Sequence, residues 1–375
     1  MQKIKILFLH TAGFLAGAEK SLLMIADNID SSRFEVIFAC PLGKFTDELK
    51  KRNIKVYELD FPRIRSLKGV ISTLDKLCKI VKENKAALIH GNDLRTNIYA
   101  TLTGWRTGLP SVWHERNLIY KEIIDIERWL SFLPAAIFCN GSAIGERFRF
   151  FGKLLKKVKI IYTGIDVEFH KPLSDTSALR SEFNVKTGEI VFMMAGRIAV
   201  GKGHDDFLKA AAVNYMKNPN TKYMIVGGAM NEHDLRTEAS LKKLCKDLNM
   251  EGRVIFTGFR MDMDKMMSLA DVFVLASHAE PFGRALQEAM ASGKPVIATN
   301  TGGTPEIMEA DVTGLLVPTQ DPDAIFAAMD KLSKDSSLRA EMGARGRERA
   351  KTKFDIRVCI KILENEYEGL LKDGK

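Results

Sequence analysis

Two short apolar runs, Asp271–Ala276 and Pro295–Ala298, enclose a loop and a helix-forming stretch, and this unit constrains the fold more than any other part of the chain. Each run has the length and composition of a buried strand. Glu280 lies in the loop, Phe282-Gly283 stands where the helix begins, and Glu288 falls in its second turn. Gly283 and Gly293 bracket the helix, and Ala285, Leu286, Ala289 and Met290 give it a small apolar face for close packing on a sheet. Backbone N–H groups at a helix start are unpaired and attract anions. A phosphate bound there lies between two carboxylates, an arrangement that fits a nucleotide diphospho-sugar with its sugar hydroxyls, diphosphate and ribose hydroxyls. Two glutamates at this spacing also occur on ordinary surface helices; the glycines and the flanking strands set this pair apart.

The same alternation runs through the whole chain. Residues 4–9, 34–39, 54–57, 87–90, 111–114, 136–139, 158–162, 190–195, 223–226 and 254–257 read as strands, with helical stretches between most of them. Such alternation predicts an α/β protein with parallel sheets covered by helices on both faces. A length of 375 residues exceeds what one core usually supports, so two domains are expected, with a boundary near residue 165. Ligands of such sheets gather at strand ends. Several ends are polar or glycine-rich: the loop holding Gly13, Gly17 and Glu19, then His90-Gly-Asn-Asp93, His114-Glu-Arg-Asn117 and Asn140-Gly-Ser142. The first of these cradles a phosphate or is simply a tight turn; it lacks the GxGxxG spacing of a dinucleotide site. A histidine such as His114 after an apolar strand is commonly structural. In the second half, Gly196-Arg197 and Lys202-Gly203 place a guanidinium fork and a compact ammonium on one glycine-rich loop, where they can neutralise a leaving diphosphate without a metal. Gly227 and Phe259-Arg260 follow two later strands.

The run E-P-F-G-x4-E-A-M-A-x-G-x-P-V-I-A resembles the signature of retaining GT-B glycosyltransferases of family four, the glycosyl transferases group 1. Gly196-Arg197, Lys202-Gly203, Gly258-Phe259, Gly302-Gly303-Thr-Pro-Glu306 and Thr313-Gly-Leu-Leu-Val-Pro318 agree with it in order. The resemblance is strongest over residues 188–320 and looser before them. It implies a GT-B architecture, two Rossmann-like doubly wound domains facing a cleft. Residues 1–165 would form the acceptor-binding domain, joined by a C-terminal helix at 355–375, and residues 166–354 the donor-binding one. It implies catalytic roles for Glu280, His114, Arg197 and Lys202. Glu280 would hold sugar hydroxyls and His114 would face the donor sugar. Donor contacts would come from Gly17, Arg197, Lys202, Gly227, Phe259, Arg260, Phe282, Gly283, Arg284 and Glu288, with Glu288 on the ribose. No metal or other cofactor is called for. Thr163 stands where the family usually has asparagine, a departure that touches the linker.

Charge adds a second line of argument. Residues 1–165 carry 27 Lys and Arg against 16 Asp and Glu, a net +11, while the remainder is at −2. An anionic partner is expected for the first half: a membrane surface, a nucleic acid or an anionic acceptor. Arg147 to Lys157 mixes cations with Phe148, Phe150 and Phe151 and reads as an amphipathic helix for an anionic membrane face, with Arg63, Arg65 and Lys68 in support. No recognised nucleic-acid module accompanies the basic residues, so no nucleic-acid partner is expected. No apolar run approaches the roughly 20 residues that span a bilayer. The five cysteines form no CxxC pair. Reduced thiols and a cytoplasmic location, with peripheral membrane contact, are the expectation. A nucleotide-sugar epimerase remains the nearest alternative, ahead of a phosphorylase, a dehydrogenase and a non-enzymatic binding protein.

Overall fold

The computed structural model describes residues 3–15, 17–63, 65–118, 125–150 and 153–373. The chain divides into two compact units, residues 1–164 with 356–375, and residues 165–355.

The first unit is built on seven parallel strands in the order β3-β2-β1-β4-β5-β6-β9. These are β1 (Ile4–Leu9), β2 (Phe34–Cys40), β3 (Lys55–Glu58), β4 (Leu88–Gly91), β5 (Ser111–Glu115), β6 (Ala136–Cys139) and β9 (Val158–Ile160), with β7 (Arg149–Phe150) and β8 (Lys153–Leu154) forming a separate antiparallel hairpin. Ile4–Leu9 pair in register with Phe34–Ala39, and Ile6–Leu9 with Leu88–Gly91. Parallel strands covered on both faces are mostly apolar, and every residue of β4, β5 and β6 is buried, including the polar His90, His114 and Glu115 at the C-terminal ends of β4 and β5. On one face Phe8, Phe38 and Leu22 pack with Ile360, Leu363 and Tyr367 of the helix Ile356–Asp373. On the other, Leu7 and Ile37 meet Leu74, Leu77 and Tyr99. The terminal helix is also tied by polar contacts. Glu364 accepts the Asp30 N–H at 2.7 Å, and Tyr367 Oη lies 2.6 Å from His90 Nδ1.

The second unit holds six parallel strands in the order β12-β11-β10-β13-β14-β15: β10 (Ile190–Ala195), β11 (Thr221–Val226), β12 (Val254–Gly258), β13 (Val272–Leu275), β14 (Val296–Thr299) and β15 (Gly314–Val317). In both sheets the strand order reverses beside the first strand, at β1/β4 and at β10/β13, where doubly wound folds place their ligands.

The segment 147–157 corrects the expectation of an amphipathic helix. A 3-10 turn at Glu146–Phe148 leads directly into the β7–β8 hairpin, with Arg149 opposite Leu154 and Phe150 opposite Lys153. Arg147-Phe148-Arg149-Phe150 alternates with period two, the strand period. Phe151 and Gly152 of that segment lie outside the described residues, as do Ile64 of the second basic segment, Met1-Gln2 and Gly374-Lys375.

Candidate active site

At the reversal point of the second sheet, the loops leaving β10 and β13 are joined through backbone. Gly203 has φ +73°, and a Cβ on it would stand 1.9 Å from the Ala276 carbonyl oxygen. The His278 N–H donates to the Gly201 carbonyl at 2.8 Å. Only glycine allows this approach, and its effect is to hold Lys202 over the second loop. Lys202 Nζ lies 2.9 Å from Glu280 Oε2, which also accepts from Ser277 Oγ at 3.1 Å. Two residues singled out by sequence, 78 positions apart, thus form one ion pair at the edge of the sheet where the strand order reverses.

The helix Arg284–Ala291 begins on the next residues. Its N-cap, Gly283, adopts φ +94° and offers no side-chain cap, and no acidic residue occupies the first turn. Phe282 is buried and turns the chain into the helix. An uncapped N-terminus presents partial positive charge and N–H donors to an anion. Leu286, Ala289 and Met290 are buried on the sheet side. Glu288 lies one helical turn along, held by Arg284 Nε at 2.9 Å and facing His170 Nε2 at 3.9 Å.

Other expected contacts resolve differently. Arg197 is half exposed, but its Nε and Nη2 bind the buried Asp234 at 2.6 and 2.9 Å, which raises the guanidinium pKa through those hydrogen bonds. Asp234 also accepts the Met230 N–H at 3.0 Å and is the anchor that sequence reasoning missed. The Arg260 guanidinium pairs with Asp262 and Glu182 at 2.7–2.8 Å. Phe259 is exposed beside it. Gly227 has a packing reason for being glycine, since a Cβ would meet the Gly196 oxygen at 1.9 Å. Asp205, Asp206 and His278 bring three potential metal-ligand atoms within 4.8 Å of one another. Lys209 Nζ already balances that charge, 3.2 Å from Asp205 and 3.8 Å from Asp206.

The first unit holds His114, expected to face the donor sugar. It is buried in β5, and both ring nitrogens are used within the unit. Nδ1 meets His90 Nε2 at 3.1 Å and Arg116 Nη2 at 3.2 Å; Nε2 meets Asn140 Oδ1 at 3.0 Å. Burial, then the Arg116 charge, depresses its pKa well below the usual histidine value. A neutral ring spanning three strand ends positions Arg116 and Asn140. Gly17 opens the helix Gly17–Asn28, and a Cβ there would meet nothing, so packing does not explain its being glycine. His10, not singled out by sequence, lies 2.7 Å from Glu19 and 3.4 Å from Asp93. Burial works against its charged form, but Asp93 and Glu19 carry its pKa upward. A cavity of about 560 Å³ opens at the C-terminal ends of β1–β3, lined by Thr11, Asp60, Phe61, Lys76 and Arg95 among others.

His204, directly after Gly203, is buried with neither ring nitrogen hydrogen-bonded, and burial lowers its pKa to about 4. Between that value and the unfolded value near 6.5 the unfolded chain binds a proton that the folded chain does not. Stability is therefore lost as pH falls, by about 2 kcal/mol at pH ~5. His204→Leu should remove this part of the acid dependence, measured by denaturation across the range; an unchanged slope would assign it elsewhere.

With this geometry in place, comparison with known proteins is informative. The profile of the glycosyl transferases group 1 family matches residues 175–349, and that of Glycosyltransferase Family 4 matches residues 15–169. Crystal structures of Anabaena HepE superpose over nearly the whole chain. The HepE complex with UDP has TM-score 0.88 at 25% identity, covering 98% of this chain and 100% of that one. A glycosyltransferase from Rickettsia africae shares the fold, with TM-score 0.90 at 18% identity, covering 99% and 100%. An Escherichia coli UDP-Gal:alpha-D-GlcNAc-diphosphoundecaprenol alpha-1,3-galactosyltransferase is 25% identical over 353 residues, 90% of this chain and 89% of that protein. A Staphylococcus aureus capsular polysaccharide biosynthesis glycosyltransferase, CapM, is 24% identical over 86% of this chain and 89% of its own length. The two Rossmann-like units are those of a GT-B glycosyltransferase. The chain belongs to the group 1, family 4-like glycosyltransferases.

Proposed function

We propose that this enzyme transfers a sugar from a nucleotide diphospho-sugar to a glycan or lipid-linked glycan acceptor, retaining anomeric configuration and requiring no metal. The observation that carries this reading is the Lys202–Glu280 pair at the β10/β13 edge, next to the uncapped helix at Gly283. Lys202 and Arg197 neutralise the diphosphate with N–H groups near Phe282 and Gly283. Glu280 accepts from sugar hydroxyls, and Glu288 accepts from the ribose. No enzyme nucleophile is needed, because the leaving phosphate helps to deprotonate the acceptor. The catalytic effect is then positioning and charge stabilisation. UDP is the base to try first, since HepE was crystallised with UDP, with UDP and glucose, and with UDP-glucose. A lipid-linked acceptor is supported by the E. coli relative, whose name specifies a diphosphoundecaprenol substrate, and by the basic first half of this chain. The cavity beside Lys76 and Arg95 is a candidate for part of that acceptor.

A panel of UDP, GDP, ADP and CDP, with and without magnesium, tests the donor half by thermal shift. A ligand at a hundredfold excess over its Kd adds about 2.7 kcal/mol of stability. A metal-independent shift with one nucleotide is expected; no shift with any would refute the donor site. Glu288→Gln should weaken that nucleotide about 10- to 100-fold by calorimetry, the value of charge-assisted hydrogen bonds to a hydroxyl pair. Unchanged affinity would take the ribose role from Glu288.

A further inference from the structure

The first unit carries an apolar knob set among unpaired cations. The helix Ile126–Leu130 and the turn after it expose Trp129 at 73%, Phe132 at 57% and Leu133 at 60%. Neighbouring Leu130, Leu154 and Leu155 pack inward on the Trp113 cluster. Three contacts join this turn to the β7–β8 hairpin. The rings of Phe132 and Phe150 are 5.2 Å apart, the Arg128 guanidinium lies 5.1 Å over Phe150, and Arg128 Nη2 donates to the Arg149 carbonyl at 3.0 Å. Lys157 Nζ donates to the carbonyls of Phe132 and Pro134 at 2.8 and 2.6 Å, tying the turn to the chain beyond the hairpin.

Charge is sorted across this surface. Asp125 and Glu127 turn inward onto Arg147. Glu146, on the exposed side, is paired with Arg149. Arg128, Lys153 and Lys156 are exposed, and none has a carboxylate partner among the described residues. Aromatic and aliphatic side chains ringed by Lys and Arg are the composition of a membrane-interface surface.

We propose that this surface docks the first unit onto an anionic bilayer. Trp129, Phe132 and Leu133 enter the headgroup–acyl boundary, and Arg128, Lys153 and Lys156 lie against lipid phosphates. The proposal deepens the reading of a lipid-linked acceptor and names the face that meets the lipid. It replaces the amphipathic helix expected at 147–157, whose first arginine is turned inward.

Co-sedimentation of the full chain with phosphatidylglycerol-containing vesicles and with phosphatidylcholine vesicles, at low and high salt, tests it. Binding to the anionic vesicles is expected, weakened by salt and accompanied by a blue shift of tryptophan emission. Combining W129S with F132S should abolish the blue shift and lower partitioning by about tenfold or more. Combining K153Q with K156Q should lower it about 25-fold at low salt, since each surface cation contributes about fivefold. Failure of the wild-type chain to bind anionic vesicles would overturn the proposal and leave the face to a protein partner. So would equal binding by W129S/F132S. The nucleotide-induced thermal shift, measured on the same samples, reports the fold and the donor site independently, so loss of docking and loss of the glycosyltransferase reading are separate results.

Discussion

Lys202→Ala should lower kcat/KM for sugar transfer by about 100- to 1,000-fold, the range found when one preorganised charge-stabilising donor is removed. Two losses combine in this substitution. The ammonium proposed to meet the leaving diphosphate is gone, and Glu280, a buried carboxylate, keeps the Ser277 hydroxyl as its one side-chain partner among the described residues. Lys202→Arg preserves charge but replaces a compact point charge with a planar fork, so it should recover only part of the rate. Ser277→Ala leaves the ion pair intact and should cost about tenfold, the worth of one neutral hydrogen bond. The double variant Arg197→Ala/Lys202→Ala should abolish transfer. Steady-state assays with the nucleotide-sugar identified by thermal shift make the comparison. Transfer by Lys202→Ala within tenfold of wild type would refute the diphosphate assignment.

What was legible in the sequence follows from what is local. The central strands of both sheets are short apolar runs and are buried as their composition requires, whereas the edge strands β3 and β12 are largely half-buried or exposed; β13 and β14 flank the helix at Arg284 as their pattern predicts. Lys202 and Glu280 were singled out separately, as glycine-loop residues at the ends of strands; their pairing comes from the doubly wound order, which places those ends side by side. Contacts made across the fold left no such trace. Asp234 is 37 residues from the loop residue Arg197, in the helix Glu232–Asp247, and its acidic run reads equally well as an ordinary helix start. The partners of His114 come from β4 and from the ends of β5 and β6, and a lone histidine after a strand does not announce them. The basic stretch at 147–157 misled for a different reason. Its charge and aromatic content fit a surface helix, but the chain forms a 3-10 turn over Glu146–Phe148 and then the β7–β8 hairpin. Arg147, counted among the outward cations, is 10% exposed and faces three carboxylates.

That inward position predicts a large stability effect. Arg147→Met should destabilise the first unit by about 3–5 kcal/mol, the cost of stranding buried carboxylates without their cation. For a domain of this size that corresponds to a fall in Tm of about 6–20 °C. Arg147 contacts Glu115 at 3.0 Å, Asp125 at 2.5 and 2.9 Å, and Glu127 at 2.7 Å. Without it, Glu115 and Glu127 are left with the Asn97 amide, at 2.6 and 2.9 Å, and each other. Even with the arginine present, burial and then the Glu127 charge push the Glu115 carboxyl well above the usual range. The folded state therefore holds a proton there that the unfolded state releases. Stability from this group is complete below the unfolded pKa and is lost as pH rises through the folded one. Removing Arg147 raises the carboxyl pKa further and steepens that loss. The variant should thus be closest to wild type in mild acid and furthest from it above neutrality. Adding Glu115→Gln to Arg147→Met should restore part of the stability at high pH by removing one of the repelling charges. Urea denaturation of the three proteins at acidic and alkaline pH measures this directly. If Arg147→Met matched wild type to within about 1 kcal/mol at alkaline pH, less than the cost of one unsatisfied buried group, the carboxylates would have to reach solvent in the folded protein. Because Asp125 and Glu127 begin the helix that bears Trp129, the same variant should also loosen the proposed docking surface and weaken vesicle binding while the nucleotide-induced shift persists.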